Sequence, residues 1–191
     1  MDIPATRRLV HTRKIECHGY VRADGMMEVE SVMRDISVGG SDLFFKTLAP
    51  GEDLHHMQIT LTLDRSLVIH HVQVGTLAAP TPWCAEANAV YDGLIGLQIG
   101  PGFTQKLREL AGGTKGCTHL TELMGPVATT AFQTWHALAR ETGSARAARA
   151  LPGLLPRPAL FNTCQAYRAD AKALEAIWPL DRRAPSAANE G

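Results

Sequence analysis

The stretch MQITLTLDRSLVIHHVQV, residues 57–74, carries the clearest secondary-structure signal of the chain. Its two ends, MQITLTL and LVIHHVQV, are rich in β-branched residues, and the short polar segment Asp64-Arg65-Ser66 separates them. β-Branched side chains fit the pleated surface of a sheet, and a short turn between two such runs joins antiparallel strands. The stretch therefore predicts an antiparallel hairpin.

The residues before this hairpin predict a second pair of strands within residues 8–38. Asp24-Gly25 is suited to a tight turn, and apolar or small residues alternate with polar ones on both sides of it. The alternating residues are Ile15, Cys17 and Val21 before the turn, and Met27, Val29, Ser31 and Met33 after it. A period of two places each of these sets on one face of its strand.

After Pro80 the spacing of apolar residues changes from two to three and four, which is typical of helices. The predicted helices span residues 84–94, 103–110 and 118–141, and a helical or mixed element spans 164–178. Proline lacks a backbone N–H, so Gly125-Pro126 should kink or divide the third helix.

Strands followed by helices define an α+β fold. We expect an antiparallel sheet from the N-terminal half, covered on one face by helices from the C-terminal half. The expected organisation is a single α+β domain over residues 8–178 and a disordered tail over residues 179–191.

The composition excludes several classes of protein. The 191 residues include 19 Lys+Arg and 19 Asp+Glu, and a formal net charge of 0 argues against nucleic-acid binding by bulk charge. No apolar run approaches the ~20 residues that span a bilayer, so a membrane partner is not expected. The N-terminal residues lack the apolar segment of a secretory signal, so we expect a cytoplasmic protein with reduced thiols.

The four cysteines, Cys17, Cys84, Cys117 and Cys164, are dispersed and form no C-x-x-C pair. This spacing excludes a zinc knuckle or a thioredoxin-like motif made by one local segment. Any metal site must therefore be assembled by the fold from distant positions.

The most concentrated reactive groups lie in GCTHLTEL, residues 116–123, where a helix is predicted to begin. A thiolate at a helix N-terminus is stabilised by the helix dipole, and Cys and His are common ligands of zinc and iron. Cys117, His119 and Glu122 are therefore candidate catalytic residues. The alternative is that Cys117 is a buried core residue and His119 is a surface cap.

A second cluster, DLHHM over residues 53–57, precedes the hairpin and places His55 and His56 on opposite faces of a strand. One of the two histidines can then face a pocket, and His56 is a candidate for proton transfer. Cys84 opens the helical half of the chain. A third set is ECHGYVRADG, residues 16–25, in which Tyr20 is suited to acid–base work, although an exposed strand face is the favoured interpretation of that segment.

These segments also carry a resemblance to a known family. GEDLHHMQITLTLD, APTPWC, LIGLQIGPGFT, GCTHLTELMGPVATTAFQ and NTCQAYRAD together resemble a bacterial domain family of unknown function that is found in proteobacteria that degrade aromatic compounds. The resemblance extends from about Val10 to Trp178, and GCTHLTELMGPVATTAFQ is its most specific string. It implies a lyase that releases formaldehyde from lignin-derived aromatic dimers.

The order of elements is also similar to that of iron–sulphur scaffold proteins of the IscU/NifU type. In those proteins the metal ligands come from a strand entry, a later loop and the start of a late helix. By position, these sites match Asp53 to His55, Cys84 and Cys117. The sequence departs from the pattern, because His or Asp stands at the first ligand position and Gly116 replaces a typical His.

Two functions follow from the resemblances, and a third candidate is an interaction module without a site. The favoured one is a carbon–carbon lyase that acts on a small hydroxylated aromatic substrate. The alternative is a non-catalytic metal or iron–sulphur carrier. The predicted ligands of a single Zn or Fe ion are His55, Cys84, Cys117 and His119.

Proton transfer in the lyase is assigned to Tyr20, His56 or Glu122, with Cys117 and His119 as further catalytic candidates. No nucleotide cofactor is expected, and a homo-oligomer stays open. The predicted substrate pocket is lined by Phe44, Phe45, Met57 and Trp83.

Overall fold

The computed structural model describes residues 6–141, 153–155, 157–158 and 160–184. The chain divides into two compact units, residues 1–138 and residues 139–191. The first unit contains every strand of the main sheet and all but the last three residues of the longest helix. The expectation of one domain over residues 8–178 stays a prediction.

The first unit is built on a four-stranded antiparallel sheet in the spatial order β1-β2-β5-β6. The strands are β1 (His11–Val21), β2 (Met27–Ser37), β5 (Asp53–Leu63) and β6 (Ile69–Ala78). Two short strands, β3 (Ser41–Asp42) and β4 (Thr47–Leu48), follow β2 in the sequence and precede β5. They pair with each other in a separate two-stranded sheet. The predicted hairpin is confirmed as β5–β6, in which Leu63 pairs with Ile69.

One face of the sheet is buried and the other faces solvent, as the period of two requires. On β2 the residues of the covered face are Met27, Val29, Ser31, Met33 and Asp35. On β5 they are His55, Met57, Ile59, Leu61 and Leu63. Asp35 pairs with Arg13 on β1 and with His55 on β5, so these three polar residues form a row across the covered face.

The covering layer consists of a 3-10 helix (Cys84–Leu94), α1 (Phe103–Ala111) and α2 (Thr118–Glu141). Their apolar side chains form one core with the sheet, and the central ones are Tyr91, Leu107, Leu120 and Val127. The α+β prediction is therefore confirmed. α2 is not divided at Gly125-Pro126, since Pro126 lies inside one continuous helix.

A close local contact between α2 and the sheet explains a glycine in β1. A Cβ atom built on Gly19 would lie 1.7 Å from Oγ1 and 3.0 Å from Cβ of Thr134 on α2. A side chain at this position would collide with Thr134, so the glycine allows β1 and α2 to pack closely at this level.

The second unit contains a 3-10 turn at Gln165–Tyr167, α3 (Lys172–Ile177) and a 3-10 turn at Leu180–Arg182. Its small core is formed by Leu155, Ala171, Leu174 and Trp178. A mixed element is therefore observed in the predicted region, and residues 185–191 of the predicted disordered tail lie outside the described residues. Within the described chain, every helix is too short or too polar to cross a membrane.

Candidate metal-binding site

The site is centred on the buried carboxylate of Asp35, whose side chain is 2% exposed. Arg13 binds it with two hydrogen bonds, Nε to Oδ1 at 2.7 Å and Nη2 to Oδ2 at 2.8 Å. His11 Nε2 donates to Oδ1 at 3.2 Å, and His55 Nδ1 donates to Oδ2 at 3.0 Å. A buried charge is tolerated when it is paired and hydrogen-bonded, and Asp35 meets both conditions.

His119 reaches the same carboxylate from the helical layer. It lies in the first turn of α2, and its Nε2 is 3.8 Å from Oδ2 of Asp35. Its ring lies over the ring of His55, with a distance of 3.7 Å between centroids and an angle of 33°. The sheet therefore covers one side of the site, and the start of α2 covers the opposite side.

The start of α2 is held in place by a buried tyrosine. The Tyr91 hydroxyl donates to the carbonyl of Cys117 at 2.8 Å and accepts from the backbone N–H of Cys117 at 3.2 Å. The Sγ atom of Cys117 is 4.0 Å from Nδ1 of His119. Tyr91 thus holds the backbone from which His119 extends, and Cys117 contacts Nδ1 of the His119 imidazole.

The contacts set the charges in the site. The hydrogen bonds from Arg13 lower the pKa of Asp35 to about 2, against the opposing effect of burial. The same contacts raise the pKa of Arg13. Burial lowers the pKa of His55, and His119 lowers it further, while Asp35 acts in the opposite direction. At neutral pH, Asp35 is therefore ionised and the His55 imidazole is neutral.

A neutral imidazole and an ionised carboxylate are the forms that bind transition metals. Asp35, His55 and His119 each offer one ligand atom, and the three atoms lie within 4.8 Å of one another. Among the described residues this is the one group of three such side chains at that spacing. Two histidines and one carboxylate are a ligand set used by zinc and by non-haem iron.

Glu122 connects this site with a groove on the helical surface. It lies one turn after His119 on α2, and its Oε2 accepts a hydrogen bond from Nη1 of Arg13 at 2.7 Å. Its side chain also lines a groove between α1 and α2. Arg13 therefore bridges the buried carboxylate of the site and the exposed carboxylate of the groove.

The structure brings together two of the four predicted metal ligands, His55 and His119, and the third member of their group is Asp35. Cys84 does not belong to this group, and its Sγ contacts Oγ1 of Thr81 at 3.1 Å in the loop after β6. Cys117 lies beside His119 and is half-buried against the core, but its sulphur is also outside the group.

Two of the predicted catalytic residues lie on the opposite face of the sheet. His56 faces away from His55, as the period of two requires, and its Nδ1 is 3.5 Å from Oδ2 of Asp53. Tyr20 is 45% exposed and pairs across the strands with Glu28. Its pKa is raised by partial desolvation and by Glu30, which keeps the phenol protonated. Neither side chain can reach Asp35 through the sheet.

The predicted aromatic pocket is also placed differently. Met57 is fully buried in the core, and Phe44 is 95% exposed. Phe45 and Trp83 pack edge to face with a centroid distance of 5.2 Å, and both are about half exposed. Phe45 lines a cavity with Lys46 and residues 79–82 instead, and the groove lined by Glu122 is a second cavity, which borders the site.

Three residues of the site, Asp35, Arg13 and His11, were not predicted from the sequence. The sequence did contain a signal for Asp35. This residue is the next member of the alternating series Met27, Val29, Ser31, Met33, and it is the first acidic residue on that face of β2. An acidic residue at a core position needs a partner, and this requirement marks a site. Arg13 continues the face of Ile15 in the same way.

The fold and the site together define an α+β domain with a carboxylate–histidine cluster beneath its helical layer. Residues 11–133 match a family model described as "Protein of unknown function (DUF2889)", which covers more than half of the chain, and the chain belongs to this family. No curated protein and no solved structure matches the chain. The resemblance is confirmed as one to a domain family of unknown function, and the likeness to iron–sulphur scaffold proteins stays a prediction.

Proposed function

We propose that this protein is an enzyme that binds one divalent transition-metal ion, Zn or Fe, through Asp35, His55 and His119. The observation that carries the proposal is the spacing of the three ligand atoms within 4.8 Å of one another, with His55 buried and Asp35 almost completely buried. The two histidines come from the sheet and from α2, so the fold itself holds the ligands in position.

The charge balance of the site supports a bound cation. Asp35 and Glu122 supply two negative charges, and Arg13 supplies one positive charge between them. Together with the neutral His55, these three charged groups carry a net charge of about −1 by their ordinary charges. A ligating carboxylate is usually held by a further hydrogen bond, and Arg13 and His11 provide such bonds to Asp35.

The groove between α1 and α2 favours an enzyme over a metal carrier. A carrier needs ligands alone, whereas an enzyme also needs space for a substrate beside them. Glu122 lines the groove and contacts Arg13, so a small molecule in the groove lies next to the site. The side chain of Glu122 is 53% exposed and accessible to a substrate.

The proposed reaction is carbon–carbon cleavage that releases formaldehyde from a hydroxylated aromatic compound with a primary alcohol arm. Glu122 accepts the hydroxyl proton, and the bond between the alcohol carbon and the aromatic framework breaks. The electron pair stays on the framework carbon, which then takes the proton back from Glu122. The products are formaldehyde and the shortened framework. A bound metal ion would act as a Lewis acid toward the hydroxyl oxygen.

Elemental analysis of protein purified without a metal-affinity tag tests the metal site. We expect close to one equivalent of Zn or Fe per chain, lost in Asp35→Asn, His55→Ala and His119→Ala. His56→Ala is the matched control, because His56 is adjacent in sequence but lies on the other face of the sheet. Equal metal content in the His55 and His56 variants would overturn the assignment.

Formaldehyde release tests the reaction separately. A phenolic aromatic dimer with a primary alcohol arm is incubated with the metal-loaded protein, and formaldehyde and the shortened dimer are measured. Glu122→Gln should reduce release by about 10²-fold or more, since loss of a general base has effects of this size. A bound metal ion without turnover would instead support the carrier. A cytoplasmic location stays a prediction that cell fractionation tests.

A further inference from the structure

The groove between α1 and α2 has an apolar floor and a polar rim. The floor is formed by Phe103, Leu107 and Met124, all buried in the core. Exposed residues from both helices form the rim, and they are Thr104 and Arg108 on α1 and Glu122, Gly125 and Thr129 on α2. A flat apolar molecule can therefore contact the floor while its polar groups contact the rim.

The two charged residues of the groove differ in what they already bind. Glu122 accepts a hydrogen bond from Arg13 at 2.7 Å, so its charge is compensated. Arg108 has no hydrogen bond or ion pair from its guanidinium to any residue in the described part of the chain. The groove thus presents one uncompensated cation beside an apolar floor.

The space above the floor is open on the α2 side. A Cβ atom built on Gly125 would have no atom from another part of the chain within 4 Å. Gly19, in contrast, is required by the contact with Thr134. The opening beside Gly125 lies between Glu122 and Thr129, opposite the helix that carries Arg108.

We propose that this groove binds the substrate and that the substrate is an aromatic carboxylate. The ring lies on Phe103, Leu107 and Met124, and the carboxylate pairs with Arg108. Guanidinium and carboxylate groups form paired, charge-assisted hydrogen bonds, which gives the site its preference for this class. The proposal rests on the proposed function, because it places the reacting arm of the substrate at Glu122.

The test compares two probes of nearly equal shape, 4-hydroxybenzoate and 4-hydroxybenzamide, of which only the first carries a carboxylate charge. Their binding to the chelator-treated protein is measured by calorimetry, because the groove does not require the metal. We expect the acid to bind at least tenfold more tightly than the amide. Arg108→Gln should remove this preference, whereas Lys106→Gln, an exposed residue on the same helix outside the groove, should retain it.

A second variant tests the position of the ring. Thr104→Trp places a large side chain at the exposed rim of the groove, where it should not disturb the core. We expect it to weaken the binding of both probes tenfold or more while the melting temperature changes by only a few degrees. Equal affinities for the two probes, or acid binding that neither variant changes, would overturn the proposal.

The outcomes separate this inference from the proposed function. Metal binding together with no preference for the acid refutes the aromatic carboxylate and leaves the metal site intact. Preferential binding of the acid without any metal content refutes the metal-assisted enzyme and leaves the groove as a binding site for aromatic acids.

Discussion

The Asp35 carboxylate concentrates the chemistry of the site in one residue. It accepts hydrogen bonds from β1 and β5, and His119 approaches it from α2. Removing a single partner of a buried charge usually costs several kcal/mol, because the charge that stays behind is uncompensated. Asp35 is therefore expected to contribute both to the fold and to metal binding.

The stability of the metal-free protein should depend on pH through this cluster. Asp35 has a folded pKa of about 2, below its ordinary value of 3.8, so its contribution is present above about pH 4 and is lost as the pH falls toward 2. His55 has a lowered pKa, so the unfolded chain binds more protons below about pH 6.5, and the free energy of unfolding decreases as the pH falls through that range.

Urea unfolding of the chelated protein between pH 8 and pH 3 measures both effects. The variant His55→Gln should lose the decrease in the free energy of unfolding that begins below about pH 6.5, and the acid step below pH 4 should persist in it. His70→Gln is a suitable control, since His70 is exposed and contacts only Asp64. A step near pH 6 that survives in His55→Gln would show that His55 is not its source.

Cys117→Ser distinguishes the ligand set of the structure from that predicted from the sequence. Cys117 contacts Nδ1 of His119 and lies outside the ligand group, so the variant should keep one equivalent of metal with at most about tenfold weaker affinity. A thiolate ligand predicts loss of the metal, because a serine hydroxyl is a poor ligand at neutral pH. Chelator competition measures the affinity, and Cys17→Ser is the control.

At the scale of elements, the contact between β1 and α2 should be sensitive to one methyl group. Gly19→Ala places a Cβ atom against the Thr134 side chain, with Oγ1 at 1.7 Å and Cβ at 3.0 Å. Overpacking of this kind costs about 1–3 kcal/mol. The double variant Gly19→Ala/Thr134→Ala should recover part of that loss, and urea unfolding of the four proteins of the cycle measures the coupling. If the two single substitutions lower the free energy of unfolding by strictly additive amounts, the side chains at positions 19 and 134 are not in contact.

The elements were largely predictable because their signals are local. The spacing of three and four along residues 118–141 predicted a helix with the observed bounds. The period of two along residues 57–63 predicted a strand that ends where β5 ends, although β5 begins four residues earlier, at Asp53. Pro126 was misleading, because packing of α2 on the core stabilises a helix that the missing N–H weakens.

The site was less predictable because it depends on strand register. Arg13, Asp35 and His55 are far apart in sequence and meet only because β1, β2 and β5 pair at one level. No local sequence pattern specifies the register, that is, which residues of neighbouring strands lie opposite one another. The alternation of side chains along a strand, however, places His55 and His56 on opposite faces of the sheet. The same alternation places Asp35 on the buried face of β2.

At the scale of the whole molecule, the candidate site and the groove belong to the first compact unit. That unit ends at residue 138, and the family match ends at residue 133. The second unit has a core of its own around Leu174 and Trp178. Neither the ligand group nor the groove includes a residue beyond Thr129.

A fragment of residues 1–141, which keeps α2 complete, should therefore fold alone. The sheet and the helices that cover it form one continuous core within this range, and a core of this kind supports cooperative unfolding. We expect a melting temperature within about 4 °C of that of the full chain and the same metal content, measured by circular dichroism and elemental analysis. The full chain with His119→Ala provides the metal-free reference. An unfolded or aggregated fragment would show that residues 142–191 are required for stability, and it would support a single domain extending to residue 178.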